Sequence, residues 1–302
     1  MCAPVKRPRC FRYRKQKIEC RSSDSGFEED LFTPSSSPSL DLTHNSQSAD
    51  VHTPHRDISE LSIFRDYGES SFNIQKSKEE KFLPINCLSR QPQVTAEARC
   101  RLVSWLIPVH RHFKLSFETC CLTINIMDRF LATTPVAADC FQLLGVTSLL
   151  IASKQVEVYS PSIKQLLSLC CDTFTRDQLC NLECIVLMRL NFRLAAPTPA
   201  FFLDHFMNQR LACGSRGDAG RCWSLARRIC ELSLADYAFN RYPPSVMALC
   251  AVELAELLLG EAPGADLQRG EEGAHTLAQD CVHNLRLLVT LNQEVLHTMA
   301  EL

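Results

Sequence analysis

The sequence predicts an all-helical protein, and three observations carry that reading. The first is ADCFQLLGVTSLLIASK, Ala138–Lys154, which from Phe141 to Ala152 shows little polarity beyond Gln142, Thr147 and Ser148. A helix apolar all round must be enclosed by other helices. This one is too short, and too closely flanked by Asp139 and Lys154, to span a bilayer, which needs about 20 apolar residues. The second observation is a series of helix-start residues, Thr95, Ser116, Pro161 and Thr175, each opening an apolar run with helical spacing. The third is that strand-like alternation is missing throughout.

Taken in order, residues 1–58 are rich in Ser, Thr, Pro and Asp with few large apolar groups, and are expected to form a disordered regulatory tail. The tail holds a basic cluster, KRPRCFRYRKQK (Lys6–Lys17), which suits either a nuclear import signal or a solvating segment. Thr33–Pro34, Ser37–Pro38 and Thr53–Pro54 make Thr33, Ser37 and Thr53 candidates for proline-directed phosphorylation. DSGFEED (Asp24–Asp30) is similar to a phosphorylation-dependent degradation signal. Residues 59–94 then provide an amino-terminal helix and a linker. Leu61, Ile63, Phe64, Tyr67, Phe72 and Ile74 form its apolar stripe, and Gly68 is its expected weak point. LPINCLSRQPQ separates that helix from the next segment, so it must lay its stripe on the bundle or on a partner.

Residues 95–196 contain five helical segments. Thr95 opens the first, and Pro108 inside it is expected to kink or end it early. Ser116 opens the second, with Leu122, Ile126, Met127 and Phe130 facing a core. The apolar rod is third, Pro161 leads the fourth and Thr175 opens the fifth. AAPTP (Ala195–Pro199) marks a boundary. Residues 197–302 repeat the pattern loosely, with another apolar rod, Pro243–Leu259, entered from a proline turn.

Composition narrows the function. A formal net charge of −2 over 302 residues argues against wholesale nucleic-acid binding. Met1–Ser25 has no apolar core, so no signal peptide is expected. The 17 cysteines are odd in number, include no CxxC pair, and are scattered through apolar segments. That pattern fits reduced thiols in an intracellular protein. Cys180 and Cys184 lack further ligands, and His110 and His112 point apart, so no metal is expected. No phosphate loop, nucleophile elbow or acid–base pair is present, so the chain is not expected to be an enzyme or to need a cofactor.

Several charges fall where the pattern predicts burial or a working surface. Arg99 stands beside Leu102 and Trp105 on the first segment, and Asp128 beside Met127 and Phe130 on the second. A lone buried charge costs several kcal/mol, so these two are expected to pair and pin the segments together. Lys154 closes the rod and Glu183 lies on the fifth segment.

These residues carry a resemblance. TAEARCRLVSWLIPVHRHFKLSFETCCLTINIMDRFL, the rod ending LIASKQVEVYSP, and LECIVLMRLNFRLAAPT together resemble a cyclin box. Arg99, Asp128, Leu143, Lys154 and Glu183 match the five positions that typify it, and the likeness runs from roughly Leu61 to Leu291. It implies two tandem five-helix cyclin folds, a flanking amino-terminal helix and a cyclin-dependent kinase as partner, with no small-molecule substrate, membrane or nucleic acid. By position, Lys154 and Glu183 would hydrogen-bond kinase backbone. Ile151, Leu187, Phe192 and Leu194, with Phe64 from the amino-terminal helix, would seat the regulatory helix of the kinase. FRDYGES, WLIPVHRHF and LSLADYAF are similar to a branch of the family tied to centriole multiplication in differentiating multiciliated cells, which implies a cytoplasmic or nuclear protein.

The departures bear on substrate docking. The family's peptide-docking patch survives as Leu102, Trp105 and Gln142. Ala98, Arg101, Pro108 and Ala138 replace its other members, and a charge at Arg101 should spoil a groove for leucine-bearing peptides. Gln155 and Val156 also depart from the family beside Lys154. The rival reading is a cyclin-fold scaffold that binds a partner without activating a kinase.

Overall fold

A computed structural model describes residues 58–212, 219–260 and 272–293. Lys6–Lys17, Asp24–Asp30, Thr33, Ser37 and Thr53 lie outside the described residues. Ten α-helices are present among the described residues, with no strand: α1 (Ile58–Lys78), α2 (Ala96–His112), α3 (Phe117–Thr133), α4 (Phe141–Val156), α5 (Ile163–Leu169), α6 (Arg176–Arg189), α7 (Pro199–Ala212), α8 (Ala219–Ala235), α9 (Pro244–Leu258) and α10 (Glu272–Leu291). Helices α2–α6 and α7–α10 form two bundles, each around its own apolar core.

The apolar rod is α4. Phe141 and every residue from Leu143 to Ser153 are buried, enclosed by α2, α3 and α6. Gly145 lets α2 close on it: a β-carbon there would stand 3.1 Å from the Leu102 methyl groups. The helix starts follow from side-chain oxygens that satisfy otherwise orphaned amides. Thr95 accepts from Ala98 N and Ser116 from Thr119 N. Ser162 and Thr175 each form a reciprocal capping box, with Gln165 and Gln178. In the second bundle α9 plays the part of α4. It is entered through Pro243–Pro244 and buries nearly every residue from Met247 to Glu256.

Two local expectations need correction. Helix α2 does not end at Pro108 but runs on to His112. Proline removes one amide, and its ring crowds the carbonyl four residues back. Pro108 and Ser104 are both exposed, so water can serve the freed carbonyl. Gly68 does not interrupt α1 either. The Phe64 ring fills the space where a β-carbon would sit, 2.7 Å away, so the glycine admits an aromatic that packs along the helix.

Helix α1 rests on the second bundle through Phe64 and Phe72, whereas Tyr67 and Ile74, expected in the same stripe, are 65% and 53% exposed. Phe72 stacks on His205 at 4.6 Å and meets Phe202 and Phe206 edge-on at 5.6 and 5.9 Å. A 3₁₀ turn, Glu79–Phe82, comes next. Glu79 is buried there, paired with Lys76 at 2.6 Å, and accepts from Ser245 N and Oγ at the start of α9. A carboxylate distant in sequence thus caps the second rod.

Candidate partner-binding site

The frame of the site is the Arg99–Asp128 pair. Arg99 Nε and Nη2 donate to the two Asp128 oxygens at 2.8 and 2.7 Å, and both side chains are almost wholly buried. The arginine reaches further than the sequence implied. Nη1 donates to the Leu234 and Ala235 carbonyls at the end of α8, and Nη2 to Asn240 Oδ1 at 3.1 Å. Asn240 Nδ2 donates in turn to Asp128 Oδ2. Burial alone would lower the Arg99 pKa, but the Asp128 charge and its hydrogen bonds outweigh that and raise it. The pair therefore joins α2 to α3 and also locks the two bundles together.

A second buried ionic group lies between α2 and α8, where Arg111 and Arg227 both pair with Glu231. His110 is buried beside it, 3.9 Å from Glu231 Oε1. Burial pushes the His110 pKa down, against a partial upward pull from Glu231. The buried thiols are chemically quiet: burial raises Cys87 and Cys120 to about 12, so they remain protonated packing atoms. No group of three His, Cys, Asp or Glu among the described residues is placed to hold a metal.

At the surface, Lys154 Nζ bonds Glu183 Oε1 at 2.8 Å, joining the last turn of α4 to the middle of α6, with the side chains 49% and 15% exposed. One turn beyond Glu183 lies the half-buried Leu187, whose carbonyl accepts from Phe192 N at 2.9 Å. Asn191 and Phe192 both take left-handed backbone conformations, φ 51° and 55°, which non-glycine residues seldom adopt. The turn throws Phe192 outward, 67% exposed, and Leu194 beyond it is half-buried. Lys154, Glu183, Leu187, Phe192 and Leu194 thus form one continuous surface.

Two of the expected seat residues stand elsewhere. Ile151 is 2% exposed, because α4 is enclosed on all sides there, so it supports the surface from beneath instead of lining it. Phe64 is taken up by the second bundle, 5.3 Å from the His205 ring, and is absent from the cleft beside Phe192. The degenerate docking patch is partly closed as well. Leu102 is buried against Gly145, Trp105 and Gln142 are half-buried, and Arg101 is tied over the surface by Glu97 at 2.5 Å.

Sequence reasoning missed the cleft next to this surface, lined by Lys78, Lys81, Phe82, Arg129 and residues 189–195. Its signal was present in INIMDRFLA, where Arg129 is a second charge beside Asp128 in a largely apolar run.

Comparison with known proteins agrees with this architecture. The family description "Cyclin, N-terminal domain" matches residues 70–195, and "Cyclin, C-terminal domain" matches 197–284. Cyclin-O protein B of Xenopus laevis is 53% identical over 300 residues, covering 97% of this chain and 81% of that protein. Cyclin-O of Homo sapiens is 56% identical over 242 residues, covering 80% and 69%. Among solved structures, a viral cyclin from herpesvirus saimiri superposes with a TM-score of 0.63 at 20% identity, over 72% of this chain and 96% of that one.

Proposed function

The chain belongs to the cyclin family, and we propose that it is the non-catalytic regulatory subunit of a cyclin-dependent serine/threonine kinase. One observation carries this reading: the Lys154–Glu183 pair opens onto the projecting Phe192 with Leu187 and Leu194 behind it. That surface offers a docking helix apolar contact with a donor and an acceptor at its edge. A rigid surface of this kind can bias a two-state kinase helix toward its active position by binding that position better. We further propose, from the resemblance of FRDYGES, WLIPVHRHF and LSLADYAF alone, a role in centriole multiplication during multiciliated cell differentiation, with the protein in cytoplasm or nucleus.

The test is capture of a panel of cyclin-dependent kinases by the full chain, with histone phosphorylation read in parallel. Capture with activity, both lost in the Lys154→Ala/Glu183→Ala double variant, is the expected result. Capture without activity would establish the scaffold reading instead. A chain that captures no kinase of the panel sinks the proposal.

A further inference from the structure

Five cations, Lys78, Lys81, Arg129, Arg189 and Arg193, line the cleft between the end of α1, α3 and the turn after α6, and no carboxylate lines it. Such convergence is unexpected in a chain of net charge −2. Lys78, Lys81, Arg189 and Arg193 are exposed. None of the five forms an ion pair among the described residues.

Arg129 is the focus. Its guanidinium lies over the Phe82 ring, 4.7 Å from the centroid. Nη1 donates to the Arg193 carbonyl at 2.9 Å and more weakly to Asn125 Oδ1 at 3.4 Å. Asn125 Nδ2 donates to the Phe82 carbonyl at 2.9 Å, which holds the platform in place. The side chain is thus half-buried and fixed by neutral groups, and its remaining N–H donors have no acceptor among the described residues. Partial burial strips such a charge of water, so a counter-ion there would be favourable. Burial first, and then the like charge of Arg193, push the Arg129 pKa down to about 10, which a bound anion would reverse.

We propose that this cleft binds a phosphate monoester carried on a polypeptide, a phosphoserine or phosphothreonine of a protein partner. A fixed planar guanidinium with free donors suits bidentate phosphate recognition, and the surrounding lysines and arginines supply the second charge of the monoester dianion. The cations converge on one recess; a nucleic-acid site would instead need a stripe that tracks a backbone. Asn191 and Phe192 line the same cleft, so a phosphorylated segment seated there would touch the surface that Phe192 forms with Lys154 and Glu183.

The experiment immobilises the full chain and measures retention of a degenerate peptide library with a fixed phosphothreonine. Controls are the same library with threonine, inorganic phosphate, and a single-stranded DNA dodecamer. The phosphorylated library should be held about tenfold or more tightly than its counterpart, as a pair of charge-assisted hydrogen bonds implies. That preference should disappear in Arg129→Ala and in Lys81→Glu/Arg193→Glu. The second variant changes only exposed side chains, so it separates lost binding from lost folding. Equal retention of the two libraries, or a preference that survives Lys81→Glu/Arg193→Glu, overturns the proposal. Inorganic phosphate bound as tightly as the peptides, or the DNA retained and then lost in the same variants, overturns it in favour of a small-anion or nucleic-acid site. No kinase is present, so the result is independent of kinase capture.

Discussion

Replacing Asp128 by alanine would leave Arg99 charged, fully buried and facing neutral groups, namely the Leu234 and Ala235 carbonyls, Asn240 and the Tyr237 ring. Replacing Arg99 by alanine would leave the Asp128 carboxylate with only Asn240 and the weak Cys87 thiol as side-chain donors. Neither charge can reach water, since the side chains are 0% and 1% exposed. Removing one partner of a buried ion pair typically costs about 3–5 kcal/mol, because the other is left uncompensated. Domains of ordinary stability hold only about 5–15 kcal/mol in total. Each single variant should therefore lose a large share of its stability, and Arg99→Ala should also loosen the second bundle. The Arg99→Ala/Asp128→Ala double variant removes both charges, so its loss should fall short of the sum by roughly 1–3 kcal/mol. Urea unfolding of the full chain, tracked by far-ultraviolet circular dichroism, measures the three variants against the wild type. Single losses below about 1 kcal/mol, or strictly additive losses, would refute the reasoning.

Three further outcomes rest on particular contacts. The His110 pKa lies below the ordinary 6.5 because of burial, so below pH 6.5 the unfolded chain takes up a proton that the folded chain resists. Stability should be complete above that value and fall as pH drops through it; His110→Leu should flatten urea midpoints between pH 7 and 5, and His205, shifted the same way, should retain part of the slope. Gly145→Val would force two more methyl groups against Leu102, already 3.1 Å from a single β-carbon, and should lower stability by about 1–3 kcal/mol in the same titration. Glu79→Ala frees the amide of Ser245 and leaves Lys76 with only the Ser245 hydroxyl, so it should cost about 1–2 kcal/mol. Its signature should be faster hydrogen exchange across α1; unchanged exchange there would mean that the aromatic contacts with α7 hold the helix alone.

The fold was legible because its signals are local. The polarity of α4, the capping residues at Thr95, Ser116 and Thr175, and the proline break before α7 each depend on a few adjacent positions, whereas Pro161, expected to lead α5, stands one residue before its cap, Ser162. Arg99 and Asp128 were legible as charges on apolar faces, but their partners on α8 and at Asn240 were not, being more than a hundred residues away. The same distance hid Glu79 on α9 and Glu231 against Arg111. Pro108 and Gly68 misled for a related reason. Propensity sets what a helix loses at one residue, whereas exposure at Pro108 and the Phe64 ring at Gly68 decide whether that loss ends it. The resemblance placed Lys154, Glu183, Leu187, Phe192 and Leu194 on one surface, but it could not show that Ile151 lies beneath it or that Phe64 faces α7.

Lys154 and Glu183 satisfy each other in the free chain, which sets how the proposed docking would work. A pair this exposed is worth at most about 1 kcal/mol, so parting it for kinase backbone costs little and returns charge-assisted bonds of similar strength. The exchange fixes register and contributes modestly to affinity. Phe192 stands differently: it is held outward by a left-handed turn whose strain the fold already bears, and it needs no rearrangement to be covered. Burying a side chain of that size contributes about 1.5–3 kcal/mol. Phe192→Ala should therefore weaken kinase capture by about tenfold to a hundredfold, with a greater loss than Lys154→Ala alone, as read by biolayer interferometry on the full chain. If Lys154→Ala abolishes capture while Phe192→Ala binds like the wild type, polar recognition dominates, and the projecting aromatic is not the anchor.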